Sequence, residues 1–279
     1  MRSGEEEDPT EARVPPATLR HIRAHGTDVR VSIRGDGPVL LLFMGIGAPL
    51  ELWAPFEREI ARYGRRLVAI DLPGTGGSAA VLPPLRMRGL VALALAVLDE
   101  LGLDQVDVLG LSYGGAVAQE FAHRAPARTR RLVLAATSTG MLSVPAGPRV
   151  LVHLATPLRY WRRDYARRIV GDIYGGRSRT DPWAHRELSA RFDRPPTAAG
   201  YLGQLMASIG WTSITWLPRL SVPTLVMTGD DDPIIPTVNG RILASLIPGA
   251  RLYVVRGGGH LFLLEEAAAS AAVIDEFLD

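Results

Sequence analysis

Residues 108–121 read V-L-G-L-S-Y-G-G-A-V-A-Q-E-F. An apolar run enters a Gly-Leu-Ser-Tyr-Gly pentapeptide, and an Ala- and Gln-rich segment of helical character leaves it. A serine flanked by glycines between a buried strand and a helix is the context in which G-x-S-x-G carries chemistry. Ser112 is expected on a sharp, strained turn. Gly110 and Gly114 flank it because a Cβ at either position would meet the neighbouring chain. The helix that starts at Gly114 points its N-terminus at the serine and favours negative charge developing there.

Working outward, 28–45 reads as a period-two stretch (Val29, Val31, Ile33), a Gly-Asp-Gly turn and a continuous apolar run. That pattern predicts an edge hairpin feeding a buried strand. Five further apolar runs read as buried strands, at 65–74, 104–112, 129–137, 223–230 and 250–258. Helical patterns lie between them at 51–63, 86–102, 114–125, 238–246 and 265–278. Strands alternating with helices predict an α/β chain, with a mostly parallel central sheet and helices on both faces. The stretch 141–216 holds no convincing strand but most of the aromatic residues, and is expected to be an inserted helical cap. The core is then 19–140 plus 217–279. Residues 1–18, acidic and proline-containing, are expected to be a disordered tail.

A serine hydroxyl needs a base. Of six histidines, His260 alone follows the last strand, in "RGGGHLFLLEE", where three glycines let the loop approach closely. His21, His25 and His123 have no such placement; His153 and His185 lie in the expected cap and are open to contact with substrate. The acid is expected in "TGDDDPIIP". The Gly229–Asp232–Pro236 spacing selects Asp232, leaving Asp230 and Asp231 to cap the turn or face solvent. The order Ser, Asp, His is that of α/β-hydrolases. Oxyanion donors are expected at the backbone N–H of Tyr113 and of Ile46, in "FMGIGAPLELW". The glycines of 71–78 frame the site and do not form a phosphate loop, since the chain contains no Lys.

The chain has 279 residues, 31 basic and 29 acidic, for a formal net charge of +2. Near-neutrality gives no reason to expect nucleic acid as a partner. With no cysteine there is neither a disulfide framework nor a Cys-based metal site, and no cofactor or metal is expected. The first twenty residues lack the apolar core of a secretory signal, and no apolar run approaches the ~20 residues of a membrane span. A cytoplasmic protein is expected.

"GIGAPLELWAPF", "VLGLSYGGAVAQEFAH", "DIYGG", "GYLGQLMASIGWTSITWLPRL" and "GHLFLLEE" resemble the intracellular medium-chain-length polyhydroxyalkanoate depolymerases, a branch of the α/β-hydrolases. The resemblance runs from about residue 29 to the end, and its cap stretches are its most specific part. It implies an α/β-hydrolase fold, with Ser112, Asp232 and His260 at the family's triad positions. It further implies a polyester of 3-hydroxy acids as substrate and association with polymer granules. The alternative is an esterase or lactonase acting on small soluble substrates. The chain departs from the family pattern at Met44, Tyr113 and Gly203, the last of which could widen the pocket. Arg159, Arg162, Arg163, Arg167 and Arg168 have helical spacing and are expected on a solvated face, with docking to a granule surface as the alternative.

Overall fold

The structure, a computed structural model, describes residues 15–181 and 186–279. Eight strands form one sheet: β1 (Thr18–Ala24), β2 (Thr27–Arg34), β3 (Val39–Phe43), β4 (Arg66–Ile70), β5 (Val106–Leu111), β6 (Thr129–Ala135), β7 (Thr224–Gly229) and β8 (Arg251–Val255). Their spatial order is β1-β2-β4-β3-β5-β6-β7-β8. β2 is antiparallel to both its neighbours, and every pairing from β4 to β8 is parallel.

Strand alternation explains why both faces are covered. Leu40, Leu42 and Leu109 pack with Trp53, Phe56 and Ile274 on one face. Leu41, Phe43 and Val108 pack with Leu90, Val117 and Phe121 on the other. Side chains of successive strand residues point to opposite faces, so an apolar run with no polar alternation needs helices on both. Helices Ala54–Ile60 and Ala267–Leu278 supply the first layer; Met87–Glu100 and Tyr113–Arg124 supply the second.

From β3 the chain crosses to β4 on one side, and from β5 to β6 on the other. The carboxyl ends of β3 and β5 therefore flank the point where the strand order reverses, the place where open α/β sheets open a crevice for ligands. The glycine loop 45–47 and Ser112 lie at those two ends.

Two expectations at the amino end need correction. Residues 28–43 do not form a hairpin: β2 pairs with β4, which separates it from β3. The hairpin is β1–β2, turned at His25 and Gly26, both with positive φ (47° and 77°). Among the described residues regular structure accordingly begins at Thr18, ten residues before the first predicted strand. Of the expected tail, residues 1–14 lie outside the described residues. Between β6 and β7 the described residues hold helices Pro148–Leu154, Leu158–Trp161, Arg163–Tyr174 and Ala198–Ser208, with one isolated bridge, Gly140 to Thr212.

Candidate active site

Ser112 has φ 56° and ψ −118°, a left-handed conformation that a non-glycine residue adopts at a cost. The surroundings over-determine it. Its N–H donates to the Ala135 carbonyl oxygen (2.9 Å), and its own carbonyl oxygen accepts from Gly115 N–H (2.9 Å) and the Thr137 hydroxyl (2.7 Å). A Cβ on Gly110 would overlap the Gly114 backbone, and one on Gly114 would overlap the Phe43 carbonyl oxygen. Both glycines are thus required by close backbone approach, as their spacing in the sequence predicted.

Tyr113 opens the helix, so its N–H belongs to the first turn, where a helix provides no internal acceptor. Across from it, a Cβ on Gly45 would lie 3.6 Å from Ser112 Cβ, which puts the 45–47 loop against the serine. That loop is tied to the segment between β6 and β7. The Ile46 carbonyl oxygen accepts from the Tyr160 hydroxyl (2.6 Å), and Gly47 N–H donates to Gln204 Oε1 (2.9 Å).

His260 is buried, and its Nδ1 lies 2.8 Å from Asp232 Oδ2. The other oxygen, Asp232 Oδ1, accepts from Ile234 N–H and Ile235 N–H, each at 2.9 Å. The carboxylate is therefore held by its own turn while its free edge faces the imidazole. His260 N–H donates to the Tyr174 carbonyl oxygen (2.6 Å), and the Tyr174 ring stacks on the imidazole at 6.4 Å. Gly259 and Gly176 permit this contact, since a Cβ on either would strike the other's backbone. Gly259, the last of the three glycines before His260, and the Gly175-Gly176 pair of "DIYGG" are thus two sides of one contact.

The remaining aspartates have other tasks. Asp230 Oδ1 accepts from Gly257 N–H (2.5 Å). Asp231 accepts from Arg179 Nε and Nη2 (2.9 and 3.1 Å) and from Gly176 N–H (2.7 Å). Arg179 holds the Asp231 carboxyl below its ordinary range. Asp231 is half-exposed, in keeping with the expected turn or solvent role, and it also joins the carboxyl end of β7 to the segment between β6 and β7. Asp71 was not singled out at all. It is buried, and its Oδ1 accepts from Leu50 N–H (2.7 Å) while its Oδ2 accepts from Gly77 N–H and Arg30 (2.8 and 3.0 Å). Burial pushes its carboxyl up to about 6. The 71–78 loop thereby supports the chain beyond Ile46. It also meets the insertion: a Cβ on Gly74 would overlap the Gly200 backbone, and Gly74's carbonyl oxygen accepts from Thr197 N–H (3.0 Å).

Ser112, Tyr113, Ile46 and His260 line one cavity of about 180 Å³. Of the insertion's aromatics, Tyr160, Tyr174 and Tyr201 line it too. Trp161 is 44% exposed, Trp211 and Trp216 pack together away from it, and Trp183 lies outside the described residues, as does His185. His153 bonds the Tyr165 hydroxyl (2.7 Å) and His123 stacks on Trp216. Neither lines the cavity. Gly203 borders a separate small cavity against Pro84, so its missing side chain does not widen this one. The arginine cluster divides: Arg162, Arg163, Arg167 and Arg168 are exposed, as expected, but Arg159 is buried and lines the cavity. Arg191, which nothing in the sequence marked, lines it as well. Among the described residues no three His, Asp or Glu side chains gather as a metal site would require.

Residues 38–267 match the family model described as alpha/beta hydrolase fold, and the chain belongs to that family. Within the family it is 44% identical over 266 residues to a poly(3-hydroxyalkanoate) depolymerase of Ectopseudomonas oleovorans, covering 94% of this chain and 93% of the relative. It is 30% identical over 275 residues to a 2-hydroxymuconate semialdehyde hydrolase of a Pseudomonas strain, covering 94% of each. Among solved structures, the enol-lactonase of Burkholderia xenovorans superposes with a TM-score of 0.78 at 26% identity, over 93% of this chain and 99% of that one. The chain is accordingly a hydrolase, and among its described residues no helix is long and apolar enough to cross a membrane.

Proposed function

We propose that this hydrolase cleaves the ester bonds of medium-chain-length polyhydroxyalkanoate through an acyl-enzyme on Ser112. His260 is the base, Asp232 orients it, and the N–H groups of Ile46 and Tyr113 hold the oxyanion. Residues 141–216 act as the cap. The observation that carries this reading is the buried 2.8 Å contact between His260 Nδ1 and Asp232 Oδ2, with His260 lining the same cavity as a serine on a strained turn.

With Nδ1 donating to Asp232, the neutral imidazole presents Nε2 as an acceptor. It takes the Ser112 hydroxyl proton as Oγ attacks the ester carbonyl. The oxyanion is held by N–H groups at the helix start and in the glycine loop. Collapse breaks the C–O bond, and the imidazolium returns its proton to the departing alkoxide. Water, deprotonated by the same imidazole, then releases the acid and restores Ser112.

The medium-chain assignment is supported by the 44% identical relative and by the cavity wall, in which Leu52, Leu154, Leu188, Leu205 and Ile234 would bury alkyl side chains at about 0.8 kcal/mol per CH₂. Exposed apolar residues of the insertion, among them Met141, Leu142, Val152, Leu202 and Ile209, favour contact with a hydrophobic polymer surface. Dispersed amorphous granules of medium-chain polymer and of poly(3-hydroxybutyrate) test the assignment. Release of 3-hydroxy acids should be faster from the first; equal rates, or the reverse order, sink it. The small cavity and the enol-lactonase likeness favour a second reading, hydrolysis of small soluble esters or lactones. Turnover of short p-nitrophenyl esters with none of either polymer would select that second reading.

A further inference from the structure

Two arginines sit in the mostly apolar wall of the cavity. Arg159 is 2% exposed and Arg191 3%. A guanidinium cannot discharge itself by losing a proton, and a buried charge without a counter-charge is expensive. Among the described residues every partner of these two is an uncharged type. Arg159 Nη1 donates to the Tyr201 hydroxyl (2.7 Å) and lies 3.4 Å from the Thr156 carbonyl oxygen; its Cζ is 4.7 Å from the Tyr160 ring centre. Arg191 Nη1 is 3.5 Å from the Tyr174 hydroxyl, and its Cζ is 5.0 Å from the Phe192 ring centre. Tyr201 and Tyr160 do not supply the missing charge. The Tyr201 and Tyr160 hydroxyls donate their own protons to the carbonyl oxygens of Leu154 and Ile46, and a donating phenol is not a phenolate. Among the described residues, the Nε of each arginine is buried with no hydrogen-bond partner. Among the described residues neither guanidinium forms an ion pair, whereas the nearby Arg163, Arg177, Arg179 and Arg194 each do.

We propose that Arg159 and Arg191 form a carboxylate-binding subsite, so that the substrate presents a free carboxylate together with an apolar chain. The planar fork of a guanidinium matches a carboxylate, and exclusion of water strengthens the pairing. The proposal deepens the ester-hydrolysis reading of Ser112 and rests on it. In a chain of ester-linked 3-hydroxy acids the one free carboxylate is at a terminus, four bonds from the nearest ester carbonyl carbon. The hydrolase would then cut from that end. Ser112 Oγ bonds to the penultimate carbonyl carbon, the ester C–O bond breaks, and the terminal 3-hydroxy acid leaves with its proton from His260 and its carboxylate still on the arginines.

The test uses the ester-linked dimer of 3-hydroxyoctanoate as free acid and as methyl ester. For the wild type, kcat/KM should favour the free acid at least tenfold, about 1.4 kcal/mol. Arg191→Gln and Arg159→Gln should bring that ratio toward one, chiefly through KM, and Arg159→Lys should retain part of it. If Arg159→Gln does not fold, the wild-type ratio and Arg191→Gln still decide. Calorimetric titration of 3-hydroxyoctanoate into Ser112→Ala reads the subsite without turnover, and adding Arg191→Gln should weaken binding at least tenfold. An active enzyme with a ratio of one, or an Arg191→Gln protein with an unchanged ratio and unchanged product binding, overturns the subsite. Arginine-dependent binding by a protein that cleaves no ester supports the subsite and overturns the ester-hydrolysis reading instead.

Discussion

Asp232→Asn isolates the carboxylate proposed to orient His260, with little disturbance of anything else. In the native turn Oδ1 accepts two backbone N–H groups, from Ile234 and Ile235, and Oδ2 faces His260 Nδ1. An asparagine will keep its carbonyl oxygen on the two N–H donors, because reversing it would set an NH₂ against both. Its NH₂ must then face Nδ1. The imidazole answers by moving its proton to Nε2, and Nε2 can no longer accept from Ser112. The fold survives while the base is lost. The same change in a serine protease costs roughly 10⁴ in turnover, about 5.4 kcal/mol of barrier. Asp231→Asn is the internal control. It removes an ion pair to Arg179 whose side chains are 44% and 43% exposed, a class of contact worth at most about 1 kcal/mol. Initial rates on p-nitrophenyl octanoate, with circular dichroism to verify folding, compare the two. A folded Asp232→Asn protein retaining more than about 1% of wild-type kcat, or an Asp231→Asn protein crippled more than Asp232→Asn, would refute the tautomer argument.

Ser112→Ala should lose on the order of 10⁶ in turnover and fail to react with a fluorophosphonate probe; undiminished labelling would mean another nucleophile. Ser112→Gly should melt higher than Ser112→Ala, by about 1 kcal/mol of stability, because only glycine is at ease at φ 56°; equal melting temperatures would show that the turn is not strained. Burial raises the Asp71 carboxyl from 3.8 to about 6. The folded state therefore holds more protons than the unfolded one across that interval, and stability falls as pH rises from about 4 to about 6, by at most about 3 kcal/mol. Urea denaturation at pH 4.5 and 7.5 should show this component in the wild type and not in Asp71→Asn; identical pH profiles for the two proteins would refute the assignment.

What could be read in the sequence was what local geometry dictates. Ser112 stood out because the turn it occupies needs glycine on both sides, and His260 because it follows a glycine run, of which Gly259 packs directly on Tyr174–Gly176. The false β2–β3 hairpin came from trusting a turn signal. β4, 23 residues further along the chain than β3, inserts between the two strands, and no short-range pattern records that. β1 was missed because it is an edge strand with Leu19, Arg20, His21 and Arg23 exposed, which erases the apolar alternation a half-buried strand would show. Arg159 was misread for a related reason. Its helix spans only Leu158–Trp161, so spacing shared with Arg162 and Arg163 says nothing about which side meets the core.

The site and the insertion are joined mainly through backbone. Gly74 meets Gly200, Gly175 meets the Asp231 carbonyl oxygen, and Gly176 meets Gly259, each so closely that a single Cβ would force the chains apart. Side chains then lock the same places: Gln204 on Gly47 and Tyr160 on Ile46 in the 45–47 loop, Asp231 on Arg179 beside the Asp232 turn. A substrate would consequently meet the proposed triad and the lining contributed by residues 141–216 as one surface. Tyr160 is the clearest case, because its hydroxyl fixes the peptide next to the proposed oxyanion donor while its ring lies against the Arg159 guanidinium. Through that one side chain the residues that would choose the substrate and those that would activate its carbonyl hold each other in register.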